Sequence, residues 1–375
     1  MNAKMTRVAI IGNTHRNLGA ACAADLCMGG HEVHYALYPD QSAQLADLRE
    51  HGGFEVQGEA RHLFWRRLGF ARLAGIHDSP EGALAQAEVV LLDIPVPMLK
   101  ERFAALLPAL PKGVVVHVQS HGYWPVARLL PILQSSGRND IILTEAAVPT
   151  SVAALEGHVL KAQGLRRSIE IGAFPASRTD EAVSRLRTLF PDMVAATSIL
   201  QTGLESMNLQ VHPAMSLLGI ALLEQASARG EKVAIYQDCN VPSAGRLADG
   251  LDAERMRVCA AYGVRQRPIV AAIDTYYGTS GTGAYEAMTN CEVYQNFGFF
   301  PPTSWSSWEE IDVPYAIVPL VRLAEKAGLQ APLHRALAEI FGALLRMDPW
   351  AASPALEDMS LGGSRDEVVA RLVNS

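Results

Sequence analysis

The first half of the chain alternates short apolar runs with segments of helical periodicity. Runs such as Val89-Val90-Leu91-Leu92 are what a parallel sheet covered on both faces requires. A small-residue helix lies between the first two runs and ends at Gly29-Gly30, which suits a helix C-terminus. This order predicts a doubly wound α/β fold with a mostly parallel sheet. The predicted strands are Val8–Ile11, Glu32–Leu37, Val89–Ile94, Val114–Val118 and Ile141–Ala146, with a further edge strand over Arg167–Gly172.

From about Ile199 onward the alternation typical of strands disappears and helical periodicity takes its place. Pro191 and the small residues after it mark a boundary, so we expect an α/β domain over 1–192 and an all-α domain over 193–375. The longest stretch without a clear period runs from Asp274 to Pro314, and loops of that length tend to be functional or disordered. The predicted helices of the second half are Leu204–Glu224, Ala253–Tyr262, Val318–Ala327 and Pro332–Leu345.

One polar stripe interrupts the apolar pattern of the first of these helices. Glu205, Asn208 and His212 are spaced i, i+3 and i+7, so a continuous helix would place them on one face. Burying polar groups without partners costs on the order of several kcal/mol, which favours the wall of a site. Pro213 lacks an N–H and is expected to interrupt the helix after His212. A histidine there suits proton transfer, and a capped or solvated histidine at a helix break explains the spacing equally well.

A second polar signal, Glu309-Glu310-Ile311-Asp312, lies about a hundred residues later. Asp312 could orient His212 and stabilise its protonated form, as a carboxylate behind a histidine does in other enzymes. Asp312 also lies close to the expected start of the next helix, where capping is the alternative role. The spacing leaves both roles open.

The segment after the first strand has the context of a phosphate-binding loop. Gly12-Asn13-Thr14-His15-Arg16-Asn17-Leu18-Gly19-Ala20 follows a strand and opens a helix, whose N–H groups could hold a pyrophosphate. The second glycine of the G-x-G-x-x-G fingerprint is absent, and the loop is longer than usual. The context still predicts that residues 1–192 are a dinucleotide-binding Rossmann domain, with a Rossmann-like domain that binds no nucleotide as the alternative.

The end of the second predicted strand favours one nicotinamide cofactor over the other. An acidic residue usually binds the ribose 2′-hydroxyl of NAD there, whereas this chain has Leu37 near that position. The planar guanidinium of Arg16 could approach a 2′-phosphate, so we favour NADP over NAD, with a solvated Arg16 as the alternative. The candidate cofactor-binding residues are Gly12, Asn13, Thr14, Arg16, Leu18, Leu37 and Ile94.

Composition and charge limit the partners. Apolar residues make up 49% of the chain and charged residues 19%, which indicates packed domains rather than disorder. With 32 basic and 39 acidic residues the net charge is −7, so nothing favours nucleic acid or an anionic membrane. Five cysteines without a C-x-x-C pair, and a strand that begins almost at the first residue, predict a cytoplasmic protein without a signal peptide. Eleven histidines without paired ligand spacing predict no metal, and an exposed apolar helix could make a homodimer.

These motifs together resemble the octopine/nopaline (opine) dehydrogenase family. The resemblance rests on Asn-x-x-x-His-Pro, which ends at Pro213, and on Glu-x-Asp-Val-Pro-Tyr, which ends at Tyr315. It extends over nearly the whole chain, to Val148-Pro149-Thr150 and to Met347-Asp348-Pro349-Trp350. It implies that His212 is the catalytic histidine, that Asp312 is its partner, and that Asn208 and Thr150 bind substrate.

Two segments depart from the family pattern. The glycine loop lacks the usual Gly-x-Gly-Asn run, and Val118-Gln119-Ser120-His121-Gly122 stands where an Asn-Pro-Gly type of turn is usual. Gln119, Ser120 and His121 are therefore candidates for substrate or nicotinamide contacts, with an ordinary turn as the alternative.

The resemblance implies an NAD(P)H-dependent reductive condensation of an α-keto acid with an amino acid or amine. His212 would act as general acid/base and Asp312 would stabilise its imidazolium, while the cofactor supplies the hydride. One alternative is a keto-acid to hydroxy-acid reductase built like ketopantoate reductase, whose site would centre on a lysine. Another is a non-catalytic NAD(P)-binding sensor or partner protein, which the altered glycine loop favours.

Overall fold

The computed structural model describes residues 5–14, 16–58, 67–119 and 122–375, and its contacts divide the chain into two compact units. The first unit comprises Met1–Ser120, Pro125–Thr202 and Leu372–Ser375. The second unit comprises His121–Trp124 and Gly203–Arg371. A domain boundary at residues 192 and 193, suggested by the sequence, stays a prediction.

The strands of the first unit form two sheets. In the described ranges they are Arg7–Ile11 (β1), Glu32–Ala36 (β2), Gly53–Gln57 (β3), Gly69–Arg72 (β4), Gly75–His77 (β5), Val89–Leu92 (β6), Val115–Val118 (β7), Ile142–Ala146 (β8), Ser151–Glu156 (β9), Val159–Leu165 (β10), Glu170–Phe174 (β11) and Val194–Ala195 (β12). The larger sheet has the order β12-β11-β8-β7-β6-β1-β2-β5, and its neighbours pair in parallel except β8 with β11. All five predicted central strands lie in it, and the predicted α/β class is confirmed.

The smaller sheet, in the order β4-β3-β10-β9, was missed by the sequence analysis. Its strands mix polar, glycine and alanine positions, for example Gly53-Phe54-Glu55-Val56-Gln57. Glycine and alanine have low strand propensity, so this composition gives only a weak period of two. A positive φ of 60° at Gly157 turns β9 back onto β10.

Small residues let the first helix pack closely against both the larger and the smaller sheet. Helix α1 (Leu18–Met28) buries Ala20, Ala21, Cys22, Ala23 and Ala24 completely. Each apolar side chain buried in this core contributes up to about 3 kcal/mol. The other helices up to residue 204 are Ser42–His51 (α2), Pro80–Leu84 (α3), Leu99–Leu106 (α4), Pro125–Ser135 (α5), Thr179–Leu186 (α6) and Ile199–Leu204 (α7).

Helices make up the second unit. In its described part the β contacts are confined to one isolated bridge, between Val233 and Phe300. Its helices are Val211–Arg229 (α8), Ile235–Asp238 (α9), Pro242–Ala261 (α10), Ile269–Tyr277 (α11), Ala284–Asn290 (α12), Glu292–Gln295 (α13), Ser304–Asp312 (α14), Val318–Lys326 (α15), Pro332–Leu345 (α16), Pro349–Ala352 (α17) and Arg365–Leu372 (α18). None of the helices in the described ranges has the length and apolar character needed to cross a bilayer.

Two predictions for this unit are wrong. The stretch from Asp274 to Pro314 is not irregular, because it contains the end of α11 and all of α12, α13 and α14. The chain from 204 to 224 is not one helix, since it breaks after α7 and forms a short turn, Met207–Leu209, before α8 begins. Pro213 lies in the first turn of α8, where its missing N–H has no intrahelical acceptor to lose.

Candidate active site

A histidine–carboxylate pair lies at the centre of the second unit. His212 is the second residue of α8, and Asp312 is the last residue of α14. The Nδ1 atom of His212 lies 2.7 Å from Oδ2 of Asp312, and both side chains are buried. A hydrogen bond between an imidazole and a carboxylate is strong in such a low-dielectric setting. Asp312 leads into a wide turn, Val313–Ile317, and its side chain faces the histidine, so the helix-cap alternative is wrong.

The second oxygen of Asp312 has its own partner. The hydroxyl of Tyr123 donates to Oδ1 of Asp312, and Nδ2 of Asn208 donates to the Tyr123 hydroxyl at 2.9 Å. Because an ionised carboxylate is acceptor-only, its bond with His212 favours the tautomer with the proton on Nδ1. The network therefore leaves Nε2 of His212 as the atom that exchanges a proton.

Nε2 of His212 lies 3.0 Å from the hydroxyl of Tyr236. One face of the imidazole stacks on Trp308, with ring centroids 4.5 Å apart and an interplanar angle of 23°. The histidine is therefore held at both nitrogens and along its ring plane. Preorganisation of this kind reduces the motion needed during proton transfer.

Tyr236 lies in an aromatic cluster. Its ring stacks on Tyr294 at 5.3 Å and 4°, and it packs edge-on against Phe297 at 4.8 Å. Phe300 and Trp308 also contact it, at 5.8 and 6.0 Å. These contacts fix the position of the Tyr236 hydroxyl against His212.

The polar stripe of the sequence divides into two groups in the structure. Asn208 and His212 join the network around Asp312, whereas Glu205 forms ion pairs with Arg265 and Arg267, each at 2.9 Å. The break between α7 and α8 is the reason, because the three residues no longer share one helix face. Pairing with two guanidinium groups compensates the burial of Glu205.

Glu309 is a buried acid one helical turn before Asp312 on α14. Among the described residues neither of its carboxyl oxygens accepts a hydrogen bond of normal geometry, although the hydroxyl of Ser216 lies close enough to oppose the rise of its pKa. Burial, and then the nearby charge of Asp312, raise the pKa of Glu309 well above its usual value. The neutral form of Glu309 is therefore favoured next to Asp312, whose oxygens both accept hydrogen bonds.

The loop after β1 is tightly closed. Gly12 has a φ of +84°, and a Cβ there would lie 2.6 Å from the carbonyl oxygen of Asp93. A Cβ at Gly19 would lie 2.4 Å from the carbonyl oxygen of Gly12. Only glycine fits both positions. The close packing of strand, turn and helix is what a dinucleotide-binding domain requires, although the glycine spacing differs.

Asp93 follows β6 and binds this loop from inside. Its Oδ2 accepts the backbone N–H of Gly19 at 2.7 Å and of Thr14 at 2.9 Å. Burial raises the pKa of Asp93 to about 6, although those two hydrogen bonds oppose the shift. The sequence analysis assigned these N–H groups to a pyrophosphate, whereas here a carboxylate of the chain accepts them.

The other candidates for cofactor binding have different surroundings. Asn13 accepts the N–H of Ala20 at 3.2 Å and so helps to cap α1. The positive charge of Arg16 lies close enough to lower the pKa of Asp93. The side chains of Leu18, Leu37 and Ile94 are buried at 3%, 1% and 4% exposure.

The carboxyl end of the larger sheet carries the remaining candidates. Gln119 follows β7 and is 3% exposed, and in the described part of the chain both polar atoms of its amide lack a hydrogen-bond partner. Thr150 is buried, with its hydroxyl 3.3 Å from Sγ of Cys22. Ser120 and His121 lie outside the described residues. Unsatisfied polar groups at the end of a parallel strand favour a ligand-binding role for Gln119.

The residues of the first unit fit a dinucleotide. β1 pairs on one side with β2 and on the other with β6, so the Gly12 loop lies where the strand order reverses. Ligands bind at this point in open α/β sheets. That Gly12 and Asn13 contact the diphosphate, that Arg16 approaches a 2′-phosphate and that Gln119 contacts the nicotinamide or the substrate stay predictions. A separate group, Asp47, His51 and His158, has ligand atoms within 4.8 Å of one another and could hold a metal ion, which the sequence analysis did not foresee.

Comparison with known proteins agrees with these observations. Residues 195–345 match the family model described as NAD/NADP octopine/nopaline dehydrogenase, alpha-helical domain. Residues 195–345 are therefore similar to the α-helical domain of that family. The resemblance found in the sequence is thereby confirmed.

Individual relatives extend the likeness beyond that domain. The chain is 23% identical over 351 residues to an opine dehydrogenase from Arthrobacter sp., covering 92% of this chain and 93% of that protein. It is 24% identical over 303 residues to vitopine synthase from Allorhizobium ampelinum, covering 80% and 81%. A solved octopine dehydrogenase, in complex with NADH and agmatine, superposes with a TM-score of 0.69 at 16% identity and covers 98% of both chains. Together the matches show that the likeness to opine dehydrogenases extends over nearly the whole chain.

Proposed function

We propose that this protein catalyses the NAD(P)H-dependent reductive condensation of an α-keto acid with an amino acid or amine. The observation that carries the proposal is the buried pair of His212 and Asp312, 2.7 Å apart, inside a domain similar to that of the opine dehydrogenases. A histidine bound by a carboxylate on one nitrogen can move a proton at the other. The nicotinamide cofactor supplies the hydride that reduces the imine.

The residues of the second unit account for the proton transfers. The ammonium group of the amine substrate gives a proton to Nε2 of His212, and the free amine then adds to the keto carbon as the C=O π bond breaks. A proton of the added nitrogen moves to the carbonyl oxygen, which becomes the hydroxyl of the addition product. The same proton returns to the hydroxyl of the addition product, so that the C–O bond breaks and water leaves. Asp312 stabilises the imidazolium between these steps, because its Oδ2 accepts the proton of Nδ1.

The hydride completes the balance of the reaction. The carbon of the protonated C=N bond would take up the hydride that a bound cofactor supplies, which would give the secondary amine and the oxidised cofactor. Overall, keto acid, ammonium and NAD(P)H give secondary amine, water and NAD(P)⁺. Asn208 and Thr150 are proposed as substrate contacts. Gln119 has an amide without a hydrogen-bond partner among the described residues, which a substrate carboxylate or carbonyl could bind.

NADP is the favoured cofactor in this proposal. The side chain of Leu37 is 1% exposed at the end of the second strand, so it offers no carboxylate to a ribose 2′-hydroxyl. Arg16 brings positive charge to the neighbouring loop. A cytoplasmic location and a homodimer stay predictions, and the proposed partners are small molecules alone.

The test is oxidation of NADPH and NADH, followed by absorbance, with pyruvate, 2-oxoglutarate or glyoxylate. Each keto acid is assayed with and without a panel of amino acids and simple amines. We expect oxidation that requires both substrates. Turnover with keto acid alone would instead establish a hydroxy-acid reductase, and nucleotide binding without any turnover would favour a sensor.

A further inference from the structure

A cluster of two histidines and one aspartate lies in the first unit, in residues that take no part in the proposed reaction. Asp47 and His51 stand one turn apart at the end of α2, and His158 lies in the turn between β9 and β10. Each residue offers one ligand atom, and the three ligand atoms lie within 4.8 Å of one another. Imidazole nitrogen and carboxylate oxygen are common ligands of Zn²⁺ in proteins.

Both imidazoles turn the same nitrogen toward Asp47. Nδ1 of His158 lies 3.2 Å from Oδ2 of Asp47. Nδ1 of His51 lies 3.6 Å from Oδ1 of Asp47 and 2.9 Å from its backbone carbonyl oxygen. The two rings stack on each other, with centroids 3.5 Å apart and an interplanar angle of 13°. Two nitrogens and a carboxylate therefore converge on one small volume.

The backbone holds the two parts of this cluster together. Helix α2 leads directly into β3, and β3 pairs in parallel with β10, which begins just after His158. The backbone N–H of Glu55 in β3 donates to the carbonyl oxygen of His158 at 3.0 Å. A Cβ at Gly157 would lie 3.2 Å from Oδ2 of Asp47, so glycine leaves space beside the carboxylate. The last turn of α2 and the β9–β10 turn are thus fixed next to each other.

The cluster is open to solvent. The side chains of Asp47, His51 and His158 are 31%, 36% and 23% exposed, so an ion can enter and water can complete its coordination. Ligand atoms of a tetrahedral zinc site lie about 3.3 Å apart, since Zn–N distances are about 2.0–2.1 Å. Atoms within 4.8 Å of one another reach that spacing by moving about 1.5 Å at most. The two rings must also tilt from their parallel stack, because each nitrogen lone pair lies in the plane of its ring.

We propose that Asp47, His51 and His158 bind one Zn²⁺ ion, with water as the remaining ligand. Magnesium and calcium prefer sites made of oxygen atoms alone, whereas two imidazoles favour zinc. The ion links the end of α2 to the β9–β10 turn. It stabilises the first unit, because the three ligands come together only in the folded chain.

Isothermal titration of the full chain with ZnCl₂, after treatment with a chelator, tests the site. We expect a zinc site in the wild-type protein whose affinity falls at least about tenfold in Asp47→Asn and in His158→Ala, since each variant removes one ligand. Both side chains are partly exposed, so both variants should fold. Zinc at about 100 times its Kd should raise the melting temperature of the wild type by about 4 °C, and that of the variants by less.

A second histidine pair of the first unit supplies the matched control. Nδ1 of His34 lies 3.0 Å from Nε2 of His77, and Nε2 of His34 lies 3.0 Å from Glu32, so both nitrogens of His34 already have partners. His77→Ala should therefore keep the zinc affinity of the wild type. A wild-type protein that binds no zinc would overturn the proposal. So would unchanged zinc affinity in Asp47→Asn and His158→Ala, or an equal loss of affinity in His77→Ala.

Discussion

The loop after β1 in the first unit and the histidine centre of the second unit use buried polar groups in opposite ways. Around His212 a chain of hydrogen bonds runs from Asn208 through Tyr123 to Asp312 and ends at Tyr236. Together these hydrogen bonds fix the orientation of the His212 imidazole. In the loop, by contrast, Asp93 accepts the backbone N–H groups that a phosphate would use.

The difference shows how preorganisation serves two ends. The histidine centre is ready for chemistry, because its donors and acceptors already point at the group that transfers the proton. In the loop, the carboxylate of Asp93 instead stabilises the folded chain, because it accepts backbone N–H groups that would otherwise be buried without partners. A diphosphate bound there meets Asp93 as a neighbouring negative charge.

The largest expected effect is a difference in kcat between variants of two buried histidine–carboxylate pairs of the second unit. His212→Ala should lower kcat by about 10²–10⁴, because it removes the acid/base group, and should leave NADPH affinity in the first unit unchanged. His334 is the matched control, since it is also buried and its Nδ1 lies 2.9 Å from Glu254. His334→Ala should lower the melting temperature but keep kcat. Steady-state kinetics and thermal unfolding of both variants measure this contrast, and equal kcat losses would contradict it.

Some residues of the two centres could be predicted because they stand in a local sequence motif. Others could not, because their contacts form only in the folded chain. His212 and Asp312 were found because each stands in a motif with its own local spacing. Tyr123 and Tyr236 were missed, because each meets the pair through a contact that only the folded chain creates. Tyr123 lies close to residues 120 and 121, which are outside the described ranges. Tyr236 is an ordinary aromatic residue in the sequence, without a polar pattern around it.

The same limit explains the errors in the elements. The strands of the larger sheet were predicted because continuous apolar runs need no tertiary information. Asp93 was placed inside a strand, Val89–Ile94, whereas the strand ends at Leu92 and leaves the carboxylate free to turn toward the loop. The helix expected over 204–224 breaks at polar residues, because Glu205 and Asn208 each find partners in different directions.

Asp93→Asn should change how nucleotide affinity depends on pH. The pKa of Asp93 is raised to about 6, so its carboxyl is ionised above that pH and neutral below it. Wild-type affinity for NAD⁺ should therefore rise as pH falls from 8 to 5, whereas Asp93→Asn should bind about tenfold tighter at pH 8 and show little pH dependence. Isothermal titration with NAD⁺ measures this, because its diphosphate keeps its charge while a 2′-phosphate titrates near pH 6.

A parallel pH dependence in both proteins would show that another group controls binding. Equal affinities at pH 8 would show that the diphosphate lies too far from Asp93 to feel its charge. Either result would show that the charge of Asp93 does not control nucleotide binding at the loop. The proposed contrast between the loop and the histidine centre would then fail.

Arg16→Ala should have the smallest effect and should reduce the preference for NADP over NAD. The charge of Arg16 already acts on Asp93 in the loop, so it is near enough to attract a phosphate that binds there. Removing it should weaken NADP⁺ about fivefold more than NAD⁺ in the same titration. Arg49→Ala, an exposed arginine of α2 paired with Asp78, corrects for the change in net charge. If Arg16→Ala weakens both nucleotides equally, Arg16 binds the diphosphate rather than the 2′-phosphate, and the preference for NADP must come from another residue.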